Sequence, residues 1–321
     1  MAERSIIDQL DDAVTALLAE REPVLSEADR ELSELVAVAR ELRRLPSEQF
    51  RAALKEQLGG KVMSVATGES KSKKFKREGF HTVTPYLIVK PAVELVDFVK
   101  QAFGAVESFR ATGSAGGLHC EVKIGDSIVM IGGGPGFDTR PAAIHLYVPD
   151  VDEVYASAVA AGATSLAEPS DQEYGERIAA VKDIGGNEWY IAKPFDSTPI
   201  QDLRMVTVYF HPVGAPKFIN FLEKAFGAEV VERHQSDTGF VYHAKVRVGD
   251  SIVELGEAHD QWQPMPSAIY LYVEDVDATY QQALSAGATS ALEPTNQPYG
   301  DRNAWVNDEF GNVWYLSTWM G

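Results

Sequence analysis

The sequence predicts an α+β protein, a strand–helix–strands module repeated four times in two tandem copies behind a small all-helical segment. Three observations predict it. The first 60 residues place apolar side chains three and four apart and carry no strand signal. From about residue 80 the chain repeats itself at a nearly fixed offset. Inside each copy, stretches of period-two alternation flank helical stretches.

In the first segment, residues 1–62, Ile6, Ile7, Leu10, Val14, Leu17 and Leu18 form one apolar stripe, the mark of an amphipathic helix. Ser26 to Asp29 reads as a capping box opening a second helix, with Leu32, Leu35, Val36 and Leu42 as its apolar side. Pro46-Ser47 starts a third, carrying Phe50, Leu54 and Leu58 and ended by Gly59-Gly60. Residues 63–79 follow as a basic stretch with Lys71, Lys73, Lys74, Lys76 and Arg77, expected to be a solvated flexible linker. The competing reading, a nucleic-acid-binding arm, runs against the charge of the whole chain. With 29 basic and 47 acidic residues the net charge is −18, which repels phosphate backbones and anionic lipid.

The repeat is read directly. Val96 to Ala105 recurs as Ile219 to Ala228, Gly125 to Val129 as Gly249 to Val253, and Asp150-Val-Asp152 as Asp275-Val-Asp277. Likewise Ala161 to Ser165 recurs as Ala286 to Ser290, and Tyr174 to Arg177 as Tyr299 to Arg302. The offset drifts only from 123 residues (Phe98 to Phe221) to 125 (Asp150 to Asp275). Two homologous domains are expected, at 80–197 and 202–321. In the first copy Val83 to Val89 reads as a strand and Ala92 to Phe103 as a helix ended by Gly104. His119 to Ile124 and Ser127 to Ile131 read as strands joined by Gly-Asp. The second half restarts with strand Ala143 to Val148, helix Val151 to Ala161, and strands near Ile178 to Val181 and Trp189 to Ala192. Alternation puts Leu87, Cys120, Val122, Ile144 and Leu146 on helix-covered faces, opposite Tyr86, His119, Glu121, His145 and Tyr147.

The remaining composition excludes several classes. Cys120 is the only cysteine, which rules out intrachain disulfides and multi-cysteine metal sites. No apolar stretch reaches the length of a membrane span. The acidic opening MAERSIIDQLDD lacks the pattern of a secretion signal, so a cytoplasmic protein is expected.

The segments TPYLIV, DFVKQAFGA, HCEVKIGDSIVMI, IHLYVPDVDEVYASAVAAGA and YGERIAAVKDIGGNEWYI, each with a counterpart in the second copy, resemble the glyoxalase/bleomycin-resistance/dioxygenase group, the vicinal oxygen chelate superfamily, and within it the PhnB-like subgroup. The resemblance implies paired βαβββ modules, two per domain, whose sheets curl into half-open barrels around a cleft. It also implies a divalent metal held by four His, Gln or Glu ligands. Motif matching places those slots at Thr84, Met130, Ala143 and Tyr190 in copy one and at Thr207, Glu254, Ala268 and Tyr315 in copy two. One carboxylate among eight does not hold a transition metal against water. No cofactor is therefore expected, and a small-molecule ligand is. The N-terminal leucine pattern has a fainter likeness to the sigma-binding segments of anti-sigma factors.

The cleft-face candidates are Tyr86, His119, Glu121, His145, Tyr147, Tyr190, Tyr209, His243, Lys245, Tyr270, Tyr272 and Tyr315. His119 and His243, kept in both copies, are read either as acid–base or anchoring groups or as structural histidines. Glu254, His243 and His211 form the one improvised metal set the sequence offers. Arg177 and Arg302 are read either as clamps for an anionic ligand or as pairs with local carboxylates. Trp189 and Trp314 are expected to anchor the core. Three functions follow from these readings: a metal-independent binding protein for a small aromatic or amphipathic molecule; a metal-dependent lyase, isomerase or dioxygenase with its site in copy two; and a regulatory protein whose residues 1–62 bind a partner. In all three, the tandem copies are expected to pack as an intrachain pseudo-dimer.

Overall fold

Each module opens on a strand with one apolar face, and the helix that follows covers that face. The computed structural model describes residues 74–113, 116–134, 136–196, 200–260 and 262–321. The expected N-terminal helices and the first part of the linker lie outside the described residues. The first repeat runs β1 (Val83–Ile88), α1 (Ala92–Phe103), β2 (Val106–Thr112), β3 (Leu118–Ile124), β4 (Ser127–Gly133), then β5 (Ala143–Tyr147), α2 (Val151–Ala160), β6 (Thr164–Gln172), β7 (Glu176–Lys182), β8 (Glu188–Pro194). The second runs β9 (Val206–Phe210), α3 (Ala215–Phe226), β10 (Glu229–Gln235), β11 (Val241–Val248), β12 (Ser251–Leu255), then β13 (Ala268–Tyr272), α4 (Val276–Ser285), β14 (Thr289–Asn296), β15 (Asp301–Asn307), β16 (Val313–Trp319). Among the described residues no helix is long and apolar enough to cross a membrane.

The repeated motifs have local reasons. Gly104 and Gly227 end α1 and α3 in the left-handed region at φ 64°, where a side chain is disfavoured. Asp150 and Asp275 cap α2 and α4 by accepting from the Glu153 and Ala278 amides, both at 3.0 Å. Asp183 and Asp308 organise the turns before β8 and β16. Each accepts from the amide of Asn187 or Asn312, from that asparagine's side chain, and from the indole of Trp189 or Trp314. Both tryptophans are fully buried, as the sequence predicts.

The strands form two eight-stranded sheets. Sheet one has the order β14-β15-β16-β13-β1-β4-β3-β2 and sheet two β10-β11-β12-β9-β5-β8-β7-β6. They are sutured by antiparallel pairs across the repeats: Thr84 opposite Tyr270 in sheet one, and Ala143 opposite Tyr209 in sheet two. The hydrophobic cores divide the other way. Leu87, Val122, Ile144, Leu146 and Trp189 share one core with α1 and α2, whereas Phe210, Val246, Ile269, Leu271 and Trp314 share another with α3 and α4. Each core is drawn almost wholly from one repeat, with Val206 of β9 joining the first and Val83 of β1 packing on the second, and each sheet belongs to both repeats.

That division corrects one expectation. The slots of copy one do not share a cleft: Thr84 and Met130 lie in sheet one with Ala268 and Tyr315, while Ala143 and Tyr190 lie in sheet two with Thr207 and Glu254. Periodicity specifies a module but not which partner its open edge meets, and β13 offers β1 the same kind of edge that β5 would. The edge strands β2, β6, β10 and β14 were also not legible. Their side chains are mostly exposed on both faces, so no alternation marks them. Nor is the linker free throughout: at its end Lys76 pairs with Asp250 at 2.5 Å, and the Phe75 carbonyl accepts from the Trp319 amide at 2.8 Å.

A fragment of residues 74–200 keeps its core but exposes the inner edges of β1 and β5, and unpaired edges recruit partners. It is expected to sediment as a homodimer; a stable monomer would contradict the exchanged sheets.

Candidate functional site

Sheet two carries the denser cluster. Glu254 on β12 is completely buried (0% exposed). Its Oε2 receives His145 Nδ1 at 2.7 Å, from β5 of the other repeat, and His243 Nε2 at 3.0 Å, from β11. Its Oε1 receives the Tyr147 hydroxyl at 2.6 Å. Burial alone raises this carboxyl, and the two imidazoles outweigh it, holding Glu254 well below the usual carboxylate range. An ionised carboxylate only accepts, so the facing ring nitrogens carry the protons.

Aromatic rings wall this cluster. Tyr209 lies 5.3 Å from His145 and 5.6 Å from Tyr190 between ring centroids, and Trp262 lies 5.5 Å from Tyr190 and stacks on His211 at 5.7 Å. Burial raises the phenols of Tyr209, Tyr190 and Tyr147 above their ordinary range, so they remain protonated donors. A Cβ at residue 256 would stand 2.8 Å from the Tyr209 hydroxyl, which explains the glycine there; Gly132 does the same for Tyr86 at 2.7 Å.

Sheet one is built on the same template with different contents. Met130 takes the place of Glu254, and the carboxylate moves to Glu121 on β3 (2% exposed). Glu121 is met by Arg77, from the end of the expected linker, through two hydrogen bonds of 2.5 and 3.0 Å. Burial raises the Glu121 carboxyl, and hydrogen bonds from His119 and Arg77 overcome that and lower it. The guanidinium lies 4.8 Å from the Phe80 ring centroid and 5.9 Å from that of Phe109. Phe75 and Phe80 pack with Met130, Tyr86, Tyr270, Tyr272 and Tyr315, so this face is covered by the chain's own segment. Tyr270 donates to buried Asp301, whose Oδ1 has no partner among the described residues.

The candidates thus fall into two groups. His145, Tyr147, Tyr190, Tyr209 and His243 gather with Glu254, while Tyr86, His119, Glu121, Tyr270, Tyr272 and Tyr315 gather in sheet one, where the Tyr86 hydroxyl meets His119 Nδ1 at 3.2 Å. Lys245 is drawn aside to Glu232 at 3.3 Å. Arg177 is committed to Asp152 and Asp171, and Arg302 to Asp277 and Asn296, so neither serves as a clamp here. The set Glu254, His243 and His211 is corrected: His211 Nε2 meets the Tyr190 hydroxyl at 3.2 Å, and the second imidazole at Glu254 is His145. That set was drawn within one repeat, and the cleft is drawn across two.

Sequence reasoning missed Arg77, Trp262 and Asp301. Arg77 sat in a basic run with nothing to single it out. Trp262 lies in a loop, and Asp301 precedes the repeated Arg302 with no pattern of its own to mark it.

A divalent metal needs several lone pairs converging on one point. Around Glu254 the donors and lone pairs point at one another, and among the described residues no group of three or more His, Cys, Asp or Glu is disposed to hold an ion. The residues as placed do not fit that group.

A family model described as Glyoxalase/Bleomycin resistance protein/Dioxygenase superfamily matches residues 214–316. An uncharacterised protein of Mycobacterium bovis is 32% identical over 135 residues, covering 38% of this chain and 89% of its own length; one from Mycobacterium tuberculosis shows the same identity with 79% of its length covered. Among solved structures, glyoxalase I from Zea mays superposes with a TM-score of 0.57 at 15% identity, over 73% of this chain and 92% of that one. The second repeat, over residues 214–316, belongs to the glyoxalase/bleomycin resistance protein/dioxygenase superfamily.

His211 gives a pH signature. Burial pushes its imidazole down to about 4, despite Glu188, with His145 and His259 acting in the same direction as burial. The unfolded ring takes its proton near pH 6.5. Between those values the unfolded state binds more protons, so this contribution is full above about 6.5 and is lost as pH falls through 4. Unfolding free energies from urea titrations between pH 7 and 4 are expected to fall by about 3 kcal/mol from this residue, a slope that His211→Phe removes; parallel slopes in the two proteins would contradict the assignment.

Proposed function

We propose that the protein is a PhnB-like, metal-independent binding protein that holds a small planar aromatic or amphipathic molecule in the cleft of sheet two. The observation that carries this reading is Glu254: fully buried, ionised, and satisfied by His145, His243 and Tyr147 alone, beside rings that offer stacking surface. A buried charge paired by the protein needs no cation to compensate it. The Tyr209 hydroxyl, His243 and the indole of Trp262 supply the few directional groups that orient a ligand there. Sheet one supports the same choice in reverse, because residues 75–80 already cover its face.

The second reading, a metal-dependent lyase, isomerase or dioxygenase in the same cleft, rests on the convergence of one carboxylate and two imidazoles at Glu254. It requires those groups to give up their mutual hydrogen bonds to an ion.

Thermal-shift screening against planar aromatic metabolites and antibiotics tests the first reading. A binder at one hundred times its Kd adds about 2.7 kcal/mol and raises Tm by several degrees. Tyr209→Ala is expected to abolish that shift while Tyr315→Ala, in sheet one, keeps it. A broad panel without a single binder would remove the support for this function.

A further inference from the structure

A pocket of about 190 Å³ lies beside the sheet-two aromatic cluster, where the end of β9 meets the loop before β13 and the turn before β16. Its walls include Phe210, His211, Met265, Phe310 and Asn312, with Glu309 also on its lining. Its hydrogen-bond demand follows from counting protons. The Tyr190 hydroxyl has one hydrogen, given to the Glu188 carboxylate at 3.0 Å, so its 3.2 Å contact with His211 Nε2 is a bond donated by the ring. A neutral imidazole has only one N–H. His211 Nδ1 is therefore a bare acceptor, and it is buried without a partner on a residue only 7% exposed. Asn312 Oδ1 accepts from the Ser267 amide, and one of its Nδ2 hydrogens goes to Asp308. Glu309 is exposed.

The first repeat lacks this arrangement. Ile88 stands where His211 does and Gly185 where Phe310 does, and a Cβ on Gly185 would lie 2.7 Å from Val89 Cγ1, so the matching space is closed. The histidine and the opening belong to one copy.

We propose that this pocket is a second binding site, for an uncharged single-ring molecule that donates an O–H or N–H to His211 Nδ1, of the phenol type. A cavity of about 150 Å³ suffices for benzene, so one ring is the fitting size. Without a donor on that ring, Nδ1 stays buried and unsatisfied, a cost that a ligand hydroxyl removes. A carboxylate-bearing ligand would face the nitrogen lone pair and Glu309 together.

The test compares phenol with toluene, which have nearly equal volumes, on the full chain by calorimetric titration, with histidine ring nitrogen resonances followed by NMR. Phenol is expected to bind about tenfold more tightly than toluene, as one satisfied buried acceptor implies. It should move the His211 Nδ1 resonance, and His211→Phe should erase the preference while still admitting both rings. The resonance shift in the unaltered protein decides the matter if the variant fails to fold. Equal affinities, no saturable binding (a pocket holding water only), or a shift of His243 with His211 unmoved, which places phenol in the sheet-two cleft, would each overturn the proposal.

Discussion

The carboxylate of Glu254 is the charge around which the cleft of sheet two is arranged. No water reaches it, so its solvation has to come from the protein, and an unpaired charge at that depth would cost several kcal/mol. His145 and Tyr147 come from the first repeat, His243 from the second, and only the exchanged sheets bring them to one point. The suture of β5 to β9 is thus a condition of the site as much as of the fold. A tandem gene product achieves this within one chain: each repeat packs its own core around two helices and lends one module to each sheet.

The two clefts show how one template diverges under the same constraint. In sheet one the register partners are Glu121 and Met130; in sheet two they are Lys245 and Glu254. Moving the carboxylate by one strand changes what can neutralise it. Glu254 finds one imidazole on the adjacent strand β11 and a second on β5, one strand further across the sheet. Glu121 has His119 at 3.5 Å and completes its pairing with Arg77, carried in by the segment before β1. That segment brings Phe75 and Phe80 with it, and the face becomes packed protein.

Much of this was legible in the sequence, and the failures have physical causes. Strands with one covered face, such as 143–147, announce themselves by alternation, and the helices by their caps; the predicted core residues Leu87, Cys120, Val122, Ile144 and Leu146 are all buried. Edge strands such as 106–112 escape, because a strand wet on both sides has no reason to alternate. The inventory of cleft residues came from the same alternation, yet their grouping did not, because alternation records which face a residue takes and not which partner the strand's edge finds. Arg77 is the sharper lesson. A basic run reads as solvated until a buried carboxylate elsewhere in the chain claims one of its members.

The central claim is that Glu254 is neutralised by protein donors and not by a bound cation. Elemental analysis of the full protein purified without chelator, beside Glu254→Gln, addresses it most directly. The account predicts no stoichiometric nickel, zinc, manganese or iron in either preparation. A divalent ion present in stoichiometric amount in the unaltered protein and lost in Glu254→Gln would contradict it.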